Sequence, residues 1–202
     1  MTDSLPRFGD RRSMRVGLLG GSFNPAHAGH LHIARIALAR LRLQQVWLLV
    51  SPGNPLKPAR GMAPLGQRLA SAQGLADGCR IVATAIESAL HTRFTVDTLR
   101  VLSQRFPRVK FIWLMGADNL VQLPRWRRWK KIVALMPFAV LARPTYNHRA
   151  LASRAALCLR PARRPACSAS ILAATTAPSW AFLSVRQHYA SATEIRRQAM
   201  GE

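Results

Sequence analysis

The stretch Gly20-Gly21-Ser22-Phe23-Asn24-Pro25-Ala26-His27-Ala28-Gly29-His30 constrains the fold more than any other part of this chain. It follows a short apolar run, Val16-Gly17-Leu18-Leu19, and precedes an amphipathic one, Leu31 to Leu41. A strand, a glycine turn and a helix therefore follow one another directly. Glycines let a backbone come close to a ligand. A helix start points unpaired N–H groups and partial positive charge outward, which suits phosphate. His27 and His30, three residues apart, share one face of that helix. Together these parts match a nucleoside triphosphate site. The spacing fits neither the Walker lysine loop nor the dinucleotide glycine fingerprint.

The rest of the chain repeats the alternation. Apolar runs at Arg15–Gly20, Gln45–Ser51, Arg80–Thr84, Lys110–Met115, Phe138–Ala142 and Ala181–Val185 predict strands. Helices are expected at about Ala28–Leu41, Pro64–Ala76, Thr95–Arg105 (stopped by Pro107), Trp126–Leu135 and Ser191–Met200. Residues 145–179, rich in Ala, Arg and Ser, read as a helix followed by an irregular segment. Alternating strands and helices of this kind predict an α/β fold: a doubly wound, Rossmann-like parallel sheet with helices on both faces. Ligands of such sheets bind beyond the carboxyl ends of the strands, where the strand order switches. The strand-one turn, the proline-rich loop Pro52–Pro58, the Gly116-Ala117-Asp118 turn and the segment before the last helix all fall at such ends.

A chain of 202 residues is expected to form one domain, residues 15–202, after a loose polar leader, residues 1–14. No apolar run approaches the roughly 20 residues that span a bilayer, and the leader lacks the apolar core of a secretory signal. Cys79, Cys158 and Cys167 form neither a metal spacing nor a disulfide framework, so the expected compartment is the reducing cytoplasm. The net charge of +22 raises the question of nucleic acid. Its arginines are scattered, however, and no RNA-binding signature accompanies them, which argues against that partner. The charge still attracts anionic nucleotides. Nothing in the sequence fixes an oligomeric state.

The pattern Gly-x-Phe-x-Pro-x-His-x-Gly-His, carried by Gly21, Phe23, Pro25, His27, Gly29 and His30, resembles the signature of the nucleotidyltransferase superfamily related to class I aminoacyl-tRNA synthetases. Four further segments resemble one branch of it, the bacterial nicotinate-nucleotide adenylyltransferases. They are Phe94-Thr95-Val96-Asp97-Thr98-Leu99, Gly116-Ala117-Asp118-Asn119 with Leu123-Pro124-Arg125-Trp126, Leu141-Ala142-Arg143-Pro144, and Ser191-Ala192-Thr193-Glu194-Ile195-Arg196. They run in the family's order over residues 15–200. The chain departs from the family pattern at Leu56, where a histidine is common, at Arg127, where a second aromatic is common, and at Tyr189-Ala190, which replaces an apolar-acidic lead-in. These departures touch the mononucleotide end of the site more than the ATP end.

The resemblance implies transfer of AMP from ATP to nicotinate mononucleotide, with Mg²⁺ travelling on the ATP and no dedicated metal site on the protein. His27 and His30 would be catalytic. Gly21, Ser22, Phe23, Gly29, His30, Asp118, Ser191, Thr193 and Arg196 would bind ATP. Lys57, Thr95 and Trp126 would bind the mononucleotide. Read from the residues alone, several of these stay open. Asp118, Thr95, Ser191 and Thr193 also suit helix caps, Trp126 also suits a core, and Lys57 and Arg196 also suit a solvated surface. The alternative activities are that of a sibling nucleotidyltransferase acting on another phosphate acceptor, or that of a basic nucleic-acid-binding module.

Overall fold

Strands that are apolar on both faces need helices on both sides, and this chain supplies them. The computed structural model describes residues 5, 6, 8–53 and 61–185. Among these residues seven strands form one sheet: β1 (Arg15–Gly21), β2 (Gln45–Val50), β3 (Ile81–Thr84), β4 (Lys110–Gly116), β5 (Phe138–Leu141), β6 (Arg163–Arg164) and β7 (Trp180–Leu183). Their order is β3-β2-β1-β4-β5-β7-β6, and every pairing is parallel. Leu18 at the centre of β1 pairs in register with Trp47 of β2 and Trp113 of β4.

The period-2 alternation of side chains divides the core into two layers. Leu18, Trp47, Trp113, Phe138 and Trp180 point to one face. There they meet α3 (Ile86–Ala89), α4 (Thr95–Arg105), α5 (Ala117–Gln122), α6 (Trp129–Leu135), α7 (Asn147–Leu151) and α8 (Arg154–Cys158). Leu19, Leu48, Ile112, Leu114 and Leu141 point to the other face, against α1 (Ala28–Arg40), α2 (Leu65–Leu75) and a 3₁₀ segment, Ala166–Ala174. Each fully buried Leu, Val or Phe contributes about 1.5–3 kcal/mol, so both layers matter to stability. The expected doubly wound α/β architecture is the one observed. Leu5, within the segment read as a leader, is buried in the first layer.

The differences from expectation are local. The helix expected from Trp126 begins at Trp129, because Arg128 adopts a left-handed conformation (φ 51°) that no helix continues through. Residues 145–179 hold two short helices, the edge strand β6 and two 3₁₀ segments. The Leu159 carbonyl of this region accepts from the Trp180 indole N–H of β7 at 2.8 Å, and Arg163 lies over the same ring. The last strand runs from Trp180 to Leu183, one residue earlier at its start than expected. The expected helix at Ser191–Met200 lies outside the described residues.

Candidate active site

The chain leaves β1 on one side to form β2 and β3 and later returns to the other side as β4, so the strand order switches between β1 and β4. Their carboxyl ends diverge there and open a cavity of about 470 Å³. Gly21, Ser22, Phe23, His27, His30, Thr95, Asp118 and Trp126 all line it. They come from three of the segments that the resemblance assigns to one site. Gly29 is buried behind this wall in the first turn of α1. Lys57, Ser191, Thr193 and Arg196 lie outside the described residues.

The histidines are held by the helix they open. His27 is the N-cap of α1, and its Nδ1 accepts the Gly29 N–H at 3.2 Å. The Nδ1 of His30 accepts the His27 N–H, also at 3.2 Å, completing a reciprocal capping box. An Nδ1 that accepts a backbone N–H carries no proton, so each neutral ring bears its hydrogen on Nε2. The two ring centroids are 3.9 Å apart, and the Phe23 ring packs 4.7 Å from that of His30. At that separation the two rings form one unit, with Nε2 of each turned away from the backbone contact that Nδ1 makes. His27 is only 7% exposed, which fixes its orientation.

Across the cavity, Asp118 sits in the first turn of α5. Its Oδ2 is 3.4 Å from Arg143 Nη1, while Oδ1 is buried with no hydrogen-bond partner among the described residues. Such an atom is costly to leave unpaired, and a ligand hydroxyl would satisfy it. A Cβ on Gly116 would collide with Asp118 Oδ1 and approach Arg143 Nε to 3.1 Å, so only glycine allows this arrangement.

At the other end, Thr95 is the first residue of α4, whose opening turn leaves N–H groups without intrahelical partners. Trp126 packs on Trp113 with centroids 5.5 Å apart, and Arg127 stacks over the Phe94 ring at 4.5 Å. Glu87 also lines the cavity, accepting from the Thr98 hydroxyl at 2.9 Å. Burial pushes its carboxyl up to about 7, and the Thr98 hydrogen bond opposes that rise only in part.

Sequence reasoning named neither Glu87 nor Arg68 and gave Arg143 no role. Arg68 is 2% exposed on α2 and holds the glycine turn from behind, through the Ser22 carbonyl. One sequence signal does mark it: an arginine stands within the Leu65, Leu69, Ala72 stripe that faces the core. Glu87 carries no comparable local signal, and the Leu141-Ala142-Arg143-Pro144 segment marks the strand end at Arg143 without showing what its side chain does.

Comparison with known proteins agrees with this geometry. The family model described as cytidylyltransferase-like matches residues 18–198. This match, the switch-point cavity and the histidine-bearing glycine turn define a nucleotidyltransferase. A Gluconacetobacter diazotrophicus protein named as a probable nicotinate-nucleotide adenylyltransferase is 57% identical, over 98% of this chain and 92% of the relative. A Gluconobacter oxydans protein of the same name is 60% identical, over 91% and 94%. The chain belongs to the nicotinate-nucleotide adenylyltransferase family of cytidylyltransferase-like proteins. Its fold is also that of the Plasmodium falciparum nicotinic acid mononucleotide adenylyltransferase solved in complex with NaAD. The two share a TM-score of 0.68 at 15% identity, over 91% of this chain and 83% of that one.

Proposed function

We propose that this protein transfers AMP from ATP to nicotinate mononucleotide, forming deamido-NAD and pyrophosphate in NAD biosynthesis. The observation that carries the reading is the cavity itself. It joins a paired-imidazole glycine turn at one end to the open start of α4 and the Trp126 ring at the other. The close relatives named for this reaction support it.

An oxygen of the mononucleotide phosphate attacks the α-phosphorus of ATP. A new P–O bond forms as the bond to the β-phosphate bridging oxygen breaks, and pyrophosphate leaves with the electron pair. The attacking phosphate is already an anion at neutral pH, so no general base is needed. The protein contributes position and charge stabilisation. His27 and His30 donate from Nε2 to the triphosphate and stabilise charge on the leaving group. The backbone of Gly21, Ser22 and Phe23 and the first turn of α1, which contains Gly29, approach the same phosphates. Asp118 Oδ1 accepts from a ribose hydroxyl. Thr95 and its helix start receive the nicotinate carboxylate, and Trp126 packs on the pyridinium ring.

Lys57, Ser191, Thr193 and Arg196 retain the phosphate-binding roles that the family resemblance implies. As the family resemblance implies, we write the nucleotide substrate as MgATP, its cation held by phosphate oxygens and water. No helix among the described residues is long and apolar enough to cross a membrane. The cytoplasmic location is part of this proposal and rests on the cysteine usage read from the sequence. The test is pyrophosphate release with MgATP against a panel of mononucleotides, with and without chelator. Nicotinate mononucleotide should be turned over fastest, and chelator should abolish turnover. Faster turnover of a different phosphate acceptor would reassign the enzyme.

A further inference from the structure

Arg68 is the least expected charge in the molecule. Its guanidinium is buried beneath the glycine turn, and its hydrogen-bond partners among the described residues are all backbone carbonyls. Nη1 donates to Ser22 O and to Ser51 O, both at 2.7 Å; Nε donates to Ala63 O at 2.8 Å; Nη2 donates to Pro52 O at 3.3 Å. One side chain thereby ties together the turn after β1, the end of β2 and the entry to α2. Among the described residues no carboxylate pairs with it; burying a guanidinium in that way is expensive, so a fold that retains one here gains something else from it.

The gain lies in peptide orientation. In a trans peptide the C=O and the following N–H point in opposite directions. Drawing the Ser22 carbonyl toward Arg68 turns the Phe23 N–H away from it, and drawing in the Pro52 carbonyl does the same to the Gly53 N–H. Ser22, Phe23, Ser51 and Gly53 line the cavity, and Arg68 does not. Phe23 is held at φ 47°, a conformation a bulky residue rarely adopts without support from its surroundings. Without the arginine, the carbonyls of this turn lose the donors that hold them away from a phosphate.

We propose that Arg68 is the positioning residue of the triphosphate site, a buried cation that turns carbonyls away from the cavity and N–H groups into it. The proposal rests on the triphosphate assignment made above. It assigns Arg68 no contact with the nucleotide. Its effect is centred on the phosphate end, because its short bonds reach the β1 turn, the β2 end and the α2 entry, none of them at α4 or Trp126, and only the longer Pro52 contact touches the root of the loop that carries Lys57.

The test is calorimetric binding of ATP and of inorganic tripolyphosphate to wild type, R68M and R68K. It is run well below each melting temperature, with KM for both substrates measured in parallel. R68M should weaken tripolyphosphate and ATP binding at least tenfold and leave KM for nicotinate mononucleotide within twofold. R68K keeps the charge but not the fork of donors, and should fall between R68M and wild type. Tripolyphosphate binding needs no acceptor, so an error in the choice of mononucleotide would leave this readout intact. A folded variant that binds tripolyphosphate within twofold of wild type overturns the proposal. So does an equal loss of affinity for both substrates, which would mean general loosening. Should R68M fail to fold, R68K decides: a loss greater than twofold supports the role, and a smaller one overturns it.

Discussion

Replacing Glu87 by Gln should stabilise the protein at pH 8 and have no effect at pH 4. The Glu87 carboxyl stands in the cavity wall beside Thr98, and burial lifts it from its ordinary 4.5 to about 7. Between those values the unfolded chain has lost this proton while the folded chain keeps it. Folding takes up a proton there, and stability falls as pH rises from about 4.5 to 7. Above 7 the folded protein carries the full cost of a desolvated carboxylate; below 4.5 both states are protonated and the cost vanishes. The shift corresponds to at most about 3 kcal/mol, and partial exposure of Glu87 reduces that to about 1–2 kcal/mol. Gln keeps an oxygen that accepts from the Thr98 hydroxyl, so the substitution removes charge and preserves the hydrogen bond. For a chain of this size the gain at pH 8 amounts to about 2–8 °C in melting temperature. Thermal melts of both proteins from pH 4 to 8 read it directly, since other titrating groups cancel in the difference. A gain that is the same at every pH, or no gain at pH 8, would refute the desolvation argument.

Three further outcomes are expected. His30→Ala should lower turnover by about 10²–10³, the usual cost of one lost charge-stabilising donor. Because His30 also closes the capping box, His30→Gln should recover melting temperature but not rate, and a fast Gln variant would remove the imidazole from the mechanism. Gly116→Ala should raise KM for ATP well above its effect on the mononucleotide, since the added methyl collides with Asp118 Oδ1; an unchanged KM would show that Asp118 does not contact ATP. Finally, kcat/KM should strongly favour nicotinate mononucleotide over nicotinamide mononucleotide, because an amide sets its own donors against the N–H groups opening α4 and leaves them unpaired. Equal values would sink the proposed docking of the carboxylate at Thr95.

What could be read from the sequence was whatever local chemistry decides. α4 begins at Thr95 and ends at Arg105 as expected, bounded by the 3.6 periodicity of its apolar face and by Pro107. Strands β2 and β4 announced themselves as unbroken apolar runs. Helices α3 and α5, four and six residues long, passed unseen because neither is long enough to show a period. They exist because Ile86 and Leu120 are buried against the sheet. Arg128 was read as helical because nothing in Trp126-Arg127-Arg128 signals a left-handed residue.

The same division runs through the site. The glycine turn and its histidines were legible because strand, turn and cap are contiguous. Glu87, Arg143 and Arg68 were not, because each acquires its role from a partner distant in sequence: Thr98 at 11 residues, Asp118 at 25 and Ser22 at 46. Motif reading therefore recovers groups that touch substrate from the loop they sit on. It misses groups that act by holding another segment in place, because the segment they hold is set by the sheet order. In this chain the switch between β1 and β4 brings Asp118 opposite His30. The clamp from α2 then sets the shape of the turn those histidines rise from. That dependence makes the Arg68 variants a sharper probe of the site than further substitutions in the motif. They change the orientation of peptides in the turn while leaving every residue of the motif in place.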